Sequence, residues 1–178
     1  MKKLIPILFL MSCEYDLPKT SLVDEPIEAL QQIDKSTISV VGTGNRDDFP
    51  ITNTIDDSQG SFMVIGTVYQ DDSFYLAYKF DIEAYISSIE IIDNYTNAYN
   101  IGDAEYYVSS DSTDGIDGSW EYIRETKFGD INWIAGNGSV AIDRTTRWVK
   151  MVMTYRGTGA MGMTPAFYIS EINFYKWG

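Results

Sequence analysis

Three segments of the chain combine aromatic rings with planar amide or guanidinium groups, which are the side chains that a sugar-binding surface uses. A flat ring stacks on a C–H face of the sugar, and the polar planar groups fix its hydroxyls. Exposed aromatic residues are also ordinary in the loops of a tyrosine-rich β protein, so the pattern has this second explanation. The segments are residues 94–100, 130–133 and 156–163, and the predicted ligand contacts in them are Tyr95, Asn97, Tyr99, Asn132, Trp133 and Arg156.

The sequence offers little for catalysis. It contains no histidine, which removes the usual general base, the Ser-His-Asp triad and the commonest zinc ligand. It has no nucleophile elbow, HExxH motif or phosphate-binding loop. Paired carboxylates cleave glycosides, but nothing in the spacing of the 26 acidic residues singles out a pair. We therefore predict that the protein is not an enzyme, and a small glycan-active enzyme is the less favoured alternative.

The formal net charge of −13 argues against nucleic acid or an anionic membrane surface as the partner. It is compatible with calcium, a neutral sugar or a basic protein. Cys13 is the sole cysteine, so the chain has neither an internal disulfide nor a thiolate metal cluster.

The position of Cys13 is informative. Lys2 and Lys3 precede a short apolar run that ends in Leu-Met-Ser-Cys at residues 10–13, and this order is typical of a secretory signal. The last four residues resemble a bacterial lipobox, which implies lipidation of Cys13. The alternatives are a cleaved signal with a chance cysteine and an apolar N-terminal strand. We predict a signal peptide over 1–12, a lipidated tether over 13–35 and a folded domain over 36–178, anchored to a membrane outside the cytoplasm.

Short segments of alternating polarity separated by turn residues predict an all-β domain. In one of them Leu76, Tyr78 and Phe80 share a face. Such spacing favours a sandwich or jelly roll over βαβ units. The predicted strands are 36–41, 62–69, 74–81, 86–93, 105–109, 120–124, 139–143, 147–155 and 167–176, and Trp120 and Trp148 are assigned to packing within them.

The stretch EYYVSSDSTDGIDGSWEYI, residues 105–123, has a particular order: a strand, a loop with Asp-Gly at 114–115 and 117–118, and an aromatic strand. Asp-Gly supplies the positive-φ positions of a tight connection. The stretch resembles the middle hairpin of the discoidin family, the coagulation factor 5/8 type C domains and related carbohydrate-binding modules. Four further segments are similar to family segments in the same order: 55–62, which is similar to an early loop motif, and 75–81, 146–151 and 168–175, which are similar to strands. The resemblance implies a single jelly-roll β-sandwich of discoidin type.

The resemblance also implies a metal site. Many bacterial members bind one calcium ion through an early Asp and Thr and a Glu of the last strand, and the matching residues here are Asp56, Ser61 and Glu171. Calcium takes six to eight oxygen ligands, which carboxylates, a hydroxyl and carbonyls supply. Serine replaces the family's threonine, and Asp57 replaces its glycine. The alternative is that these are solvated acids in an acidic chain.

Together these features predict a non-catalytic, carbohydrate-binding module on a membrane-anchored lipoprotein. Its partner would be a glycan or a cell-surface protein, and not nucleic acid. The alternative from another class is an assembly subunit that uses the jelly roll as a protein-protein scaffold.

Overall fold

The computed structural model describes residues 29–44, 47–58, 60–66, 69, 71–92, 102–127, 137–155 and 166–178. In these ranges the chain forms strands and two short 3₁₀ turns, at Lys35–Thr37 and Ile51–Ile55, and no α-helix. None of the described residues therefore belongs to a helix that could cross a membrane. The strands are β1 (Leu30–Gln32), β2 (Ile38–Gly42), β3 (Met63–Gly66), β4 (Ser73–Ile92), β5 (Gly102–Ser109), β6 (Glu121–Thr126), β7 (Asn137–Tyr155), β8 (Ala166–Ile169) and β9 (Glu171–Trp177).

The strands pair antiparallel throughout. The larger sheet has the order β1-β9-β4-β7-β5-β6, and β2 pairs with the first half of β4. The second half of β4 pairs with β9, so one edge of β4 is shared between β2 and β9 while β7 follows the other edge. β3 and β8 form a separate two-stranded sheet. The prediction of an all-β sandwich is confirmed.

Two strands are much longer than the sequence predicts. The segments predicted as 74–81 and 86–93 are one strand, β4, and those predicted as 139–143 and 147–155 are one strand, β7. The polar residues that suggest a break in β4 form a bulge instead. Lys79 pairs with Trp148 and Ala84 with Thr146, so residues 80–83 lie opposite Arg147 alone. Extra residues of this kind bend a strand without ending its ladder.

The core follows the alternation that the sequence shows. Leu76, Tyr78 and Phe80 are all buried, and the Tyr78 ring packs against Phe174 of β9 with the ring centroids 5.1 Å apart. Ala77, which points to the opposite face, is buried as well. The loop between β5 and β6 covers it, and a side chain added at Gly115 would lie 3.1 Å from the Ala77 Cβ. Gly115 has a φ of +87°, which is the positive value that its Asp-Gly step predicts.

The two tryptophans assigned to packing differ in their surroundings. Trp148 is buried, and its indole N–H donates to the Ser112 carbonyl at 2.7 Å. Trp120 precedes β6 and is half-buried; its indole N–H donates to the Asp117 carbonyl at 2.8 Å, and the Lys150 ammonium lies 3.5 Å from its ring centroid. Trp148 is therefore a core residue, whereas Trp120 packs at the surface and contacts the loop through its hydrogen bond to Asp117.

We expect Trp148→Ala to lower the free energy of unfolding by about 3–5 kcal/mol, because it leaves a large cavity. Trp120→Ala should cost only about 1–2 kcal/mol, which is the range of one hydrogen bond and one cation–π contact. Urea titrations followed by circular dichroism measure both values. Equal losses for the two variants would contradict this division of roles.

Candidate functional site

The loop between β5 and β6 is held by its own aspartates. Asp117 accepts hydrogen bonds from the Thr113 amide and hydroxyl, both at 2.6 Å, and from the Ser112 hydroxyl at 2.9 Å. Asp111 accepts from the Ser119 amide at 2.7 Å and from the Ser109 hydroxyl at 2.9 Å. These bonds lower the pKa of both carboxyls. Asp111 and Asp117 therefore stabilise the loop in which they lie.

Two cavities border this loop. One has a volume of about 520 Å³ and is lined by Trp120, Asp111 and Glu121 together with serine and threonine hydroxyls. The other has a volume of about 310 Å³ and is lined by Tyr75, Ile116 and other residues of β4 and β7. Each combines an aromatic ring with polar groups. The sequence did not single out these positions as ligand contacts, because it assigns Trp120 and Tyr75 to strands.

The predicted ligand contacts lie outside the described residues. These are Tyr95, Asn97, Tyr99, Asn132, Trp133 and Arg156, and Cys13 also lies outside. The strand ends next to their three segments are described, and those ends are neighbours in the sheet. Ile92 pairs with Asn137, Ala104 with Thr126, and Gly102 with Tyr155. Ile92 and Asn137 are the strand residues that precede 93–101 and follow 128–136, and Gly102 and Tyr155 are those that follow 93–101 and precede 156–165.

The predicted metal residues are all described. The Ser61 hydroxyl donates to Asp56 Oδ2 at 2.6 Å, and the Ser58 amide donates to Asp56 Oδ1 at 3.0 Å. Glu171 is buried at the start of β9. Its Oε2 has no hydrogen-bond partner in the described part of the chain. Asp56 and Ser61 thus bond to each other, while Glu171 has a different partner.

That partner is Lys35, which the sequence analysis missed. The Lys35 ammonium forms an ion pair with Glu171 Oε1 and lies 3.0 Å from Asp57 Oδ1. The side chains of Lys35 and Glu171 are only 4% and 3% exposed. Burial raises the pKa of Glu171, and the hydrogen bond from Lys35 opposes that rise.

The described residues do not fit a calcium ion as they stand. An ammonium, which repels a metal cation, already contacts Glu171 and Asp57. Calcium stays a prediction of the family resemblance.

No protein-family model and no curated protein matches the chain. Solved structures do match it. A family 32 carbohydrate-binding module of Clostridium perfringens NanJ, solved in complex with galactose, superposes with a TM-score of 0.63 at 17% identity, over 83% of this chain and 100% of that one. A second family 32 module from the same organism, in complex with GalNAc-β-1,3-galactose, gives a TM-score of 0.64 at 15% identity, over 82% and 100%.

A chitosan-binding module from a Paenibacillus chitosanase/glucanase gives a TM-score of 0.60 at 16% identity, over 79% of this chain and 96% of that one. The chain has the fold of these modules. Sequence identities this low support a shared fold but do not indicate which ligand the chain binds. The discoidin-type sandwich expected from the 105–123 stretch is thereby confirmed.

We expect Asp117→Asn to weaken the β5–β6 loop of this sandwich. A carboxylate whose pKa is lower in the folded state contributes stability above its unfolded pKa and loses it as the pH falls through the folded value. The ordinary aspartate value is 3.8, and the pKa of Asp117 lies below it. The variant should melt at a lower temperature than the wild type at neutral pH, and the gap should narrow as the pH falls below about 4.

Circular dichroism melts across this pH range test the prediction. Asp81→Asn, at an exposed aspartate in the bend of β4, is the matched control and should melt like the wild type at every pH. A gap between Asp117→Asn and the wild type that stays constant down to about pH 2 would contradict the assignment.

Proposed function

We propose that the chain is a non-catalytic carbohydrate-binding module. The observation that carries this proposal is the shared fold with modules solved in complex with galactose and with GalNAc-β-1,3-galactose, and with a chitosan-binding module. Each of those modules is covered over 96% or more of its length, so the likeness extends to a complete binding module. The absence of histidine from the sequence agrees with a binding role.

The binding surface in this proposal is formed by the segments 94–100, 130–133 and 156–163. Support comes from the sheet register, because the strand ends that flank these segments pair with one another at Ile92–Asn137, Ala104–Thr126 and Gly102–Tyr155. Aromatic and amide side chains carried by segments with neighbouring anchor points have the chemistry for stacking on a sugar and bonding its hydroxyls.

The test is a glycan array on the full 178-residue chain, followed by titration calorimetry with the glycan that it returns. We expect Trp133→Ala to weaken binding about fivefold or more, because stacking of a sugar on an indole is worth on the order of 1 kcal/mol or more. The melting temperature should stay close to that of the wild type.

The control is Trp177→Ala, at a tryptophan of β9 that is 46% exposed. It should leave glycan affinity unchanged. Loss of binding in both variants, or unfolding of Trp133→Ala, would contradict this surface. An array that returns no glycan would contradict carbohydrate binding itself.

A second candidate function is a protein scaffold, and one observation favours it. Ile82 is 76% exposed at the bend of β4 and lines a cavity of about 410 Å³ with Gln31, Gln32 and Lys176. Leu30 and Trp177, which pair at the adjoining sheet edge, are also exposed. Exposed apolar groups of this kind are typical of protein contacts. The glycan array separates the two functions.

We further propose that lipid on Cys13 holds the module on a membrane outside the cytoplasm. The lipobox-like residues 10–13 support this proposal. Cys13→Ala should leave the protein unprocessed or release it from the membrane fraction, and intact mass of the native protein should reveal acyl groups on a chain that begins at Cys13. A mature protein that keeps Met1 or carries no acyl mass would contradict it.

A further inference from the structure

Lys35 is placed by a tightly bonded turn. Asp34 caps the first 3₁₀ turn by accepting from the Ser36 amide at 2.9 Å, and the Thr37 hydroxyl donates to the Asp34 carbonyl at 2.6 Å. Just before the turn, the Ile33 amide donates to the Phe174 carbonyl of β9 at 2.8 Å. The backbone before Lys35 is therefore fixed against the last strand, and the backbone after the turn enters β2, which pairs with β4.

The ammonium joins three parts of the chain. Its partners are Glu171 at the start of β9 and Asp57 in the loop after the second 3₁₀ turn. The core holds that second turn in place, because the buried Tyr78 hydroxyl donates to the buried Thr54 hydroxyl at 3.1 Å. Asp57 has a φ of 60°, a conformation that favours glycine, and an aspartate there supplies a second carboxylate to Lys35.

A divalent ion in the same place would have the same task of joining the early loop to the last strand. It would also have to share Glu171 with Lys35, because the ammonium already contacts Oε1 of that carboxylate and Oε2 is the oxygen without a partner in the described residues. Two cations on one buried carboxylate repel each other strongly where water does not screen them. Asp56 already accepts hydrogen bonds from the Ser58 amide and the Ser61 hydroxyl, so a divalent ion would have to share this carboxylate with the loop.

We propose that the Lys35 ammonium is the built-in cation of this position, and that the domain joins its early loop to β9 without a bound divalent ion. The positive charge that pairs with Glu171 is supplied by Lys35, which lies in the segment 13–35 that the sequence analysis predicts as the tether. The stability of the domain is consequently independent of calcium, in contrast to what the family resemblance implies.

The experiment is a set of thermal melts of the full-length chain after metal stripping, in EGTA and in calcium chloride. The wild type should melt at the same temperature in both. Lys35→Ala should melt about 10 °C lower in EGTA, because it leaves Glu171 buried without its partner. Calcium should raise the melting temperature of Lys35→Ala by about 5–10 °C at a hundred times its dissociation constant, since the ammonium no longer competes.

Lys176→Met is the matched control, because it removes one positive charge from an exposed position on β9 and should melt like the wild type in both buffers. If Lys35→Ala does not fold, the double variant Lys35→Met/Glu171→Gln removes both charges and should recover most of the loss. Stabilisation of the wild type by calcium would overturn the proposal. If Lys35→Ala folds and calcium does not raise its melting temperature, the proposal that the ammonium takes the position of an ion would be overturned. The double variant is compared with the single variant Lys35→Met. If the double variant is no more stable, the proposed pairing of Lys35 with Glu171 would be overturned.

Discussion

The antiparallel ladder between β4 and β7 is the constraint on which the rest of the structure depends. Both strands are interior, and together they pair with β2, β5 and β9. Strands of 20 and 19 residues are several times the usual length, so each has to bend to stay within one domain. The bulges at residues 80–83 and at Asp143 supply these bends. A register slip of one residue would turn Leu76, Tyr78 and Phe80 out of the core, which makes the ladder specific as well as stable.

Aspartate side chains stabilise several turns and loops of this acidic chain. Asp57, Asp71 and Asp143 adopt the positive φ that few residues other than glycine accept, and Asp111 and Asp117 bond the amides of their own loop. Aspartate suits both tasks because its short carboxylate reaches nearby backbone amides. Part of the negative charge therefore serves turn geometry, so acid content alone is a weak indicator of a metal or catalytic site.

The fold could be predicted because its signals are local. Alternation over residues 74–81 and the Asp-Gly steps of the β5–β6 loop each specify backbone geometry within a few residues. The merging of strands in β4 could not be predicted, because polar residues in a bulge have the composition of a turn. Lys35 was missed for a different reason. Its partners stand 22 and 136 positions away, at Asp57 and Glu171, and neither pairing has a spacing that a linear pattern records.

The proposed role of Lys35 in place of a metal ion also agrees with the arrangement of the early loop. A calcium ion needs six to eight oxygens, so it would draw Asp56, Ser61 and loop carbonyls toward itself. An ammonium has three protons to donate, and two carboxylates satisfy most of that demand. The loop uses its own donors and acceptors, since Asp56 accepts hydrogen bonds from Ser58 and Ser61. Asp57, the residue that takes the place of glycine, is also the one that turns toward the lysine. In our proposal the Asp57 carboxylate and the Lys35 ammonium together join the early loop to β9, which is the role that an ion would have.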